Sequence, residues 1–278
     1  MSASTPGWLR ADPTDWLLEP EDPSVRYFTL RGLLDKPAHD PEVLQARAAV
    51  MESGPVPALL ARQAGGGHWG KPADFYLRSK YRGTVWTYLV LAELGADGGD
   101  PRVQAASEFI LSASQDPRSG GFAYQAGLTP GGDPDSLIPC LSGNLLFALI
   151  RLGQLCDPRV QAGIEWLVRY LRFDDKEGPA TEGWPYETRL RCWGRHSCHM
   201  GVVKGLKALA EIPPDQRTAE VNALIQAMSE YLLVHRVYQR SHHPGQVAMP
   251  RWLKLGFPRF YDTDILEVLL LLTRLGCR

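Results

Sequence analysis

Four side chains that bind soft metal ions lie close together in residues 189–203, RLRCWGRHSCHMGVV. Cys192, His196, Cys198 and His199 fall within eight residues. Apolar residues then recur every three or four positions, which predicts a helix that begins near Cys198. Unpaired backbone N–H groups at a helix start are expected to lower the pKa of a thiol and to favour its thiolate. The segment therefore predicts thiolate chemistry or a metal site.

The composition predicts one globular domain. With 278 residues, of which 44% are hydrophobic, the chain can bury a substantial core. The formal net charge of -1 offers no basic surface for nucleic acid and no polybasic membrane anchor. The longest apolar run, residues 265–273, is too short for a transmembrane segment. We therefore expect neither nucleic acid nor a bilayer as a partner.

The N-terminal residues and the cysteine count predict where the domain begins and in which cellular compartment the protein resides. Residues 1–13 are polar and contain proline, so we expect a poorly ordered lead-in to a single domain at residues 14–278. An odd number of cysteines, five, and the lack of an apolar signal region favour a reducing, cytoplasmic setting. Cys156 and Cys277 are expected to be buried or terminal residues without a chemical role, and Cys192 is assigned either to that group or to the cluster above.

An internal repeat organises the chain. The sequence DPEVLQA begins at Asp40, and DPRVQA begins at both Asp100 and Asp157, roughly sixty residues apart. An almost wholly apolar helix precedes each of the later two copies, whereas the repeat helices carry a polar face. Inner and outer helices in alternation predict an all-α fold of about five helical hairpins, either an open solenoid or a closed α/α toroid.

Closure of the ring would gather unusual residues at one rim. The starts of the predicted inner helices carry Trp86, Cys140, Asn144, Cys198, His199, Asp262 and Asp264. The adjoining loops add aromatic and cationic residues, among them Trp69, Tyr81, Arg82, Trp184, Trp193 and Tyr261. An aromatic-lined cavity with a few converging polar groups is the usual form of a small-ligand site, so these residues are predicted to bind substrate.

A family resemblance supports this architecture. Residues 63–69, QAGGGHW, match the QxxxGxW repeat, and SQDPRSGGF ending at Phe122 and EGW ending at Trp184 are similar to degenerate copies of it. The chain resembles the prenyltransferase and squalene-cyclase repeat superfamily over most of its length. That resemblance implies an α/α toroid with the active site in its central cavity.

The resemblance also implies a zinc site and a class of substrate. Lanthionine-cyclase-like toroids take one Cys from one inner helix start and a Cys-His pair from the next, and Cys140 with Cys198 and His199 is similar. In protein prenyltransferases the pattern is Asp-x-Cys with a later His; here His196 and Cys198 occupy the first positions and Asp262 the last. Either pattern implies a zinc-activated nucleophile for alkyl transfer or cyclisation, acting on a hydrophobic or thiol-containing substrate.

Two other functions are compatible with the sequence. DTDI, residues 262–265, resembles the DxDD motif of class II terpene cyclases, which implies a metal-independent cyclase with Asp264 as general acid. Alternatively, a helical-repeat protein without catalytic activity would bind a partner on its concave surface. Metal content and the effect of Asp264→Asn distinguish the two enzymes from each other.

Overall fold

The computed structural model of the chain describes residues 10–76, 82–126, 130–172, 182–193, 198–240, 243–260 and 262–277. These ranges are predominantly helical with little strand, which confirms the predicted helical character. No helix within them is long and apolar enough to cross a bilayer. The α-helices are α1 (Thr14–Leu17), α2 (Pro23–Gly32), α3 (Pro41–Glu52), α4 (Pro55–Leu60), α5 (Thr84–Glu93), α6 (Pro101–Ser114), α7 (Pro139–Arg151), α8 (Pro158–Tyr170), α9 (His199–Ala210), α10 (Ala219–Val234) and α11 (Ile265–Arg274).

The repeated Asp-Pro sequence starts three helices in the same way. Asp40, Asp100 and Asp157 each precede a helix whose first residue is proline, in α3, α6 and α8. Each aspartate accepts a hydrogen bond, 2.8 Å long, from the backbone N–H two residues later. Such capping satisfies a donor that the helix leaves unpaired, and proline lacks the N–H that would be unpaired at the first position. The predicted repeat is therefore a structural repeat.

The helices differ in burial as their sequences predict. Residues 139–150 of α7 and residues 200–210 of α9 are all buried. By contrast, α8 buries one face, which includes Val160, Ile164 and Leu167. A helix that is apolar on every side has to be covered on every side, whereas an amphipathic helix can cover it. The burial of these three helices is that predicted for inner and outer helices.

Glycine allows α7 and α9 to approach each other closely. A Cβ atom on Gly143 would lie 2.4 Å from the carbonyl carbon of Lys204, and one on Gly201 would lie 2.7 Å from Cβ of Pro139. Any side chain at either position would push the two helices apart. The contact at Gly201 brings together the N-terminal ends of both helices.

The glutamine motif joins consecutive hairpins. The amide of Gln63 donates to the carbonyl of Arg102, at 2.8 Å, and to that of Gly67, at 3.3 Å. Gly67 has a φ of +81°, and a Cβ there would lie 2.2 Å from the carbonyl oxygen of Ala105. The motif therefore holds its loop against the first turns of α6, and only glycine fits at the point of contact.

The second copy of the motif repeats these contacts. Gln115 donates to the carbonyls of Gly120, at 2.8 Å, and Arg159, at 2.6 Å, at the start of α8. Gly120 has a φ of +86°, and its Cβ would lie 2.4 Å from the carbonyl oxygen of Ala162. Gly183 in the third copy has no described atom within 4 Å of the same position, so the described residues do not repeat this close approach there.

Replacing Gln115 with leucine is expected to lower the free energy of unfolding by about 1–3 kcal/mol, because one buried and one partly buried carbonyl acceptor lose their donor. Gln104→Leu, on the exposed face of α6, is the matched control and should change it by less than about 0.5 kcal/mol. Urea denaturation measures both. Equal changes in the unfolding free energy for the two substitutions would show that Gln115 does not stabilise the contact between its loop and α8.

Two features differ from the sequence prediction. Helix α11 was predicted to be an inner helix, yet Leu266, Leu269 and Leu270 on it are exposed. Its buried face is narrower than that of α7 or α9 because fewer described elements cover it. A short antiparallel hairpin of β1 (Gln239–Arg240) and β2 (His243–Val247) also lies in a segment predicted as a loop.

Candidate functional site

The N-terminal ends of α5, α7 and α9 and the segment before α11 lie together. Phe260 connects three of these parts, because its carbonyl accepts a hydrogen bond of 3.0 Å from Asn144 Nδ2 and its ring lies 5.8 Å from that of Trp86. Lys204 in α9 donates to the carbonyl of Asp262, at 3.1 Å. The structure thus brings together four separate segments, three of which carry predicted site residues: Trp86, Asn144 and Asp262.

Asn144 has an unused acceptor at this rim. Its side chain is buried, and its Oδ1 atom has no hydrogen-bond partner among the described residues. Asn144 lies one helical turn after Cys140 on α7, so both side chains are on the same face of the helix. A buried carbonyl oxygen without a donor is unfavourable, and a ligand N–H or O–H can satisfy it.

Three thiols lie near the rim: Cys140, Cys192 and Cys198, which we call the thiol cluster. Cys140 lies at the start of α7 and Cys198 at the start of α9, next to the contact described above. Cys192 is brought close by its neighbour Trp193, whose indole N–H donates to the carbonyl of Leu137, at 3.4 Å. The three free thiols interact electrostatically with one another. Cysteines that are distant along the chain are thus close enough to influence one another's pKa.

The thiol cluster is held in its protonated form. Burial raises the pKa of Cys140 well above its usual value, and the neighbouring Cys198 and Cys192 thiols raise it further. Burial and Cys198 raise the pKa of Cys192 to about 11. The expectation that the helix start lowers the pKa of Cys198 is wrong, because burial raises it more than the backbone N–H groups of Gly201 and Met200 lower it.

His199 presents a neutral imidazole next to the cluster. Its Nε2 atom lies 3.1 Å from the carbonyl oxygen of Val237, which only accepts hydrogen bonds, so Nε2 carries the proton. Burial lowers the pKa of His199 to about 4. At neutral pH its Nδ1 atom therefore carries a lone pair. The ring packs against Trp252, 4.8 Å away, and Tyr231, 5.7 Å away.

The predicted zinc ligands are Cys140, Cys198 and His199. Within the described ranges, no group of three or more His, Cys, Asp or Glu side chains is arranged so that it could hold a metal ion. The two predicted cysteines are neighbours, and Cys192 is the third group that interacts with them. His196 lies outside the described residues. Zinc binding stays a prediction.

The two aspartates before α11 are engaged in structural contacts. Asp264 is buried and caps α11 by accepting a hydrogen bond of 2.8 Å from the backbone N–H of Glu267. Its other oxygen accepts from Arg259, at 2.6 Å, and from the backbone of Gly256, at 3.2 Å. Asp262 pairs with Arg251, at 2.7 Å. All of these donors suit an ionised carboxylate, so the contacts do not favour Asp264 as an acid.

The tryptophans predicted to bind substrate use their indole N–H groups in structural hydrogen bonds. Trp69 donates to the carbonyl of Leu59 and Trp86 to that of Tyr76. Trp184 donates to the carbonyl of Pro134. Trp86 is also stacked on Tyr76, with ring centres 5.1 Å apart.

Three further predicted residues remain to be placed. Arg82 is exposed, just before α5. Tyr81 and Tyr261 lie outside the described residues, so their predicted role in binding substrate stays a prediction.

A buried charge network lies deeper among the inner helices, and the sequence analysis missed it. Lys204 Nζ contacts both carboxylate oxygens of Glu267, at 3.2 and 2.9 Å. Lys207 Nζ contacts Glu267, at 2.9 Å, and also pairs with Glu93 of α5. The ammonium of Lys207 lies 4.1 Å from the ring centre of Phe147 in α7. Lysines within the apolar sequence MGVVKGLKALA were the available signal, since buried cations require partners.

A scan against protein-family models and a search of curated proteins found no match to this sequence.

Proposed function

We propose that the protein is an enzyme of the prenyltransferase and squalene-cyclase repeat type, built on an α/α toroid, whose active site includes the thiol cluster. One observation carries the proposal: Cys140 and Cys198, at the starts of two buried helices, and Cys192 are close enough to interact electrostatically, and Cys198 adjoins a neutral histidine. Buried cysteines alone are common in protein cores. Their convergence on one rim with an unsatisfied Asn144 Oδ1 favours a site for chemistry.

The donor types suit zinc. Thiolates and a neutral imidazole are the ligands that zinc prefers, and a ligating histidine usually donates its other N–H to a backbone carbonyl, as His199 does to Val237. Cys140 and Cys198 would hold the ion, with Cys192 or His199 as the third ligand. Because the described side chains are not gathered around one point, binding requires them to turn toward each other. A bound zinc ion supplies the positive charge that keeps a thiolate nucleophilic at neutral pH.

The remaining side chains indicate how a substrate would bind. Trp86, Tyr76 and Phe260 form an aromatic group at the rim. Asn144 adds an acceptor for an N–H, O–H or S–H donor. We infer that the substrate has a large apolar part and one hydrogen-bond donor, as in a hydrophobic small molecule or a thiol. Its conversion would be an alkyl transfer or a cyclisation.

Elemental analysis tests the proposal. The full chain, purified under reducing conditions and refolded with zinc, is expected to retain about one zinc ion per chain. Cys140→Ser and Cys198→Ser should lose the ion, whereas Cys156→Ser, at an exposed cysteine, should keep it. Asp264→Asn should also keep it, because the carboxylate is bound elsewhere. Wild-type protein without zinc, or cluster variants that retain it, would refute this function.

A further inference from the structure

A cavity of about 640 Å³ lies at the other end of the inner helices. Its walls include four arginines, Arg31, Arg47, Arg151 and Arg274, and one carboxylate, Glu211. Its volume falls within the range of pockets that bind small molecules. A wall with so many cations predicts an anionic ligand.

The acids around the cavity do not balance its arginines. Arg151 Nη1 and Arg274 Nη1 both donate to the same oxygen of Glu211, at 3.3 and 2.6 Å. Arg47 pairs with Asp97, at 3.3 Å. Arg31 donates to a backbone carbonyl, which carries no formal charge. Among the described residues, two carboxylates thus pair with three of the four guanidinium groups, which leaves an excess of positive charge in the walls.

Helix dipoles account for only part of this cluster. Arg31, Arg151 and Arg274 lie in the last turns of α2, α7 and α11, where cations are favourable. The described hydrogen bonds of Arg151 and Arg274, however, end on Glu211. Arg47 lies in the middle of α3, away from its C-terminus. Arg217 is a further cation close to Arg274. Burial lowers the pKa of Arg217, and the charge of Arg274 lowers it further.

Aromatic side chains border the arginines. Tyr27 and Phe28 of α2 line the cavity, and their rings meet edge to face with centres 5.0 Å apart. The guanidinium of Arg151 lies 5.0 Å from the ring centre of Phe28. Gly95, with a φ of +77°, brings the end of α5 against this pair, because a Cβ there would lie 3.1 Å from Phe28. The cavity therefore combines a cationic part with an aromatic part.

We propose that this cavity binds a small organic phosphate or diphosphate, with its phosphoryl oxygens on Arg47, Arg151 and Arg274 and its organic part against Tyr27 and Phe28. A guanidinium presents paired N–H donors in a planar fork that matches phosphoryl oxygens. Only one donor of Arg151 and one of Arg274 contact Glu211 among the described atoms. The other donors remain for a ligand.

The phosphate cavity is separate from the thiol cluster. Cys140 and Arg151 lie near opposite ends of α7. At a rise of 1.5 Å per residue they are about 16 Å apart along the helix. The inference is therefore independent of zinc binding, and either can fail without the other.

Isothermal titration calorimetry with the full chain tests the inference. Inorganic pyrophosphate is expected to bind saturably, and phenyl diphosphate to bind more tightly because its ring contacts Tyr27 and Phe28. Arg47→Gln and Arg274→Gln should each weaken pyrophosphate binding about tenfold or more, the effect of losing a charge-assisted hydrogen bond. Both arginines are about half exposed, so the variants should fold. Arg62→Gln, an exposed arginine elsewhere, is the matched control.

The outcomes separate clearly. Loss in the two cavity variants with wild-type affinity in Arg62→Gln supports the site. No saturable binding of pyrophosphate, or equal weakening in all three variants, overturns it. Equal affinity for pyrophosphate and phenyl diphosphate, unchanged by Phe28→Leu, overturns the aromatic half of the proposal.

Discussion

Replacing Glu267 with glutamine is expected to lower the free energy of unfolding by about 3–5 kcal/mol, the usual cost of removing one partner from a buried ion pair. The side chain of Lys204 is 0% exposed and that of Glu267 is 5% exposed. Glutamine keeps the size of the side chain but removes the charge that compensates two buried ammonium groups. Burial already lowers the pKa of Lys204, so without Glu267 this lysine has to lose its proton or remain buried as an uncompensated cation.

The same pair makes stability depend on pH. Burial alone would raise the pKa of Glu267, but Lys204 and Lys207 outweigh it and lower the pKa to about 2. A carboxyl with a lowered pKa stabilises the fold fully above its unfolded value of 4.5 and stops doing so as the pH falls toward 2. Wild-type stability should therefore decrease between about pH 4.5 and 2. Glu267→Gln should lack this part of the decrease.

Urea denaturation across pH measures both effects. Glu230→Gln, at an exposed position on α10, is the matched control and should change the unfolding free energy by less than about 0.5 kcal/mol. The double variant Lys204→Met/Glu267→Gln should be less destabilised than the sum of the single variants, because the orphaned cation is gone. Additive effects, or a Glu267→Gln variant as stable as the control, would mean that the pair is not energetically coupled.

The helix starts and the buried helices were predictable because short stretches of sequence specify them. Asp40, Asp100 and Asp157 each combine a capping side chain with a following proline, and that pair specifies a helix start without help from the rest of the fold. The wholly apolar sequences of α7 and α9 indicated burial on all sides. Gln63 and Gln115 were recognisable as motif residues, but their contacts with the next hairpin became evident only in three dimensions.

The site was less predictable because its parts depend on long-range packing. The meeting of Cys140 and Cys198 followed from the repeat, since equivalent ends of neighbouring inner helices lie side by side. Cys192 lies in an irregular segment whose position depends on the packing of Trp193. No periodic pattern in the sequence predicts that position. The pKa of Cys198 was predicted with the wrong sign because the helix start is visible in the sequence and the degree of burial is not.

The arginines of the phosphate cavity show the same limit. Arg31, Arg47, Arg151 and Arg274 lie on four different helices and form no motif along the chain. They meet because α2, α7 and α11 end at the same cavity and the middle of α3 lies against it. The fold creates this cluster of positive charge. The net charge of the whole chain, -1, gives no indication of it.

In metal-free protein, Cys192 is expected to react with iodoacetamide at neutral pH about 100-fold more slowly than in the unfolded chain. The thiolate is the reactive form, and a pKa of about 11, two units above the usual 9.0, reduces its fraction about 100-fold. Cys140 should react more slowly still, because it is buried and its pKa is raised well above the usual value. Exposed Cys156 is the internal control for reagent quality.

Peptide-level mass spectrometry follows each cysteine as the pH is raised. The alkylation rate of Cys192 should rise about tenfold per pH unit and level off only near pH 11; a plateau near pH 9 would contradict its altered pKa. The nearby Arg189 lowers the pKa of Cys192 only slightly against burial and Cys198. The described residues therefore do not make the cluster nucleophilic at neutral pH, and a thiolate reaction there needs an added cation. Zinc should accordingly release protons on binding and make the protection of Cys140 and Cys198 independent of pH, until a chelator reverses both effects.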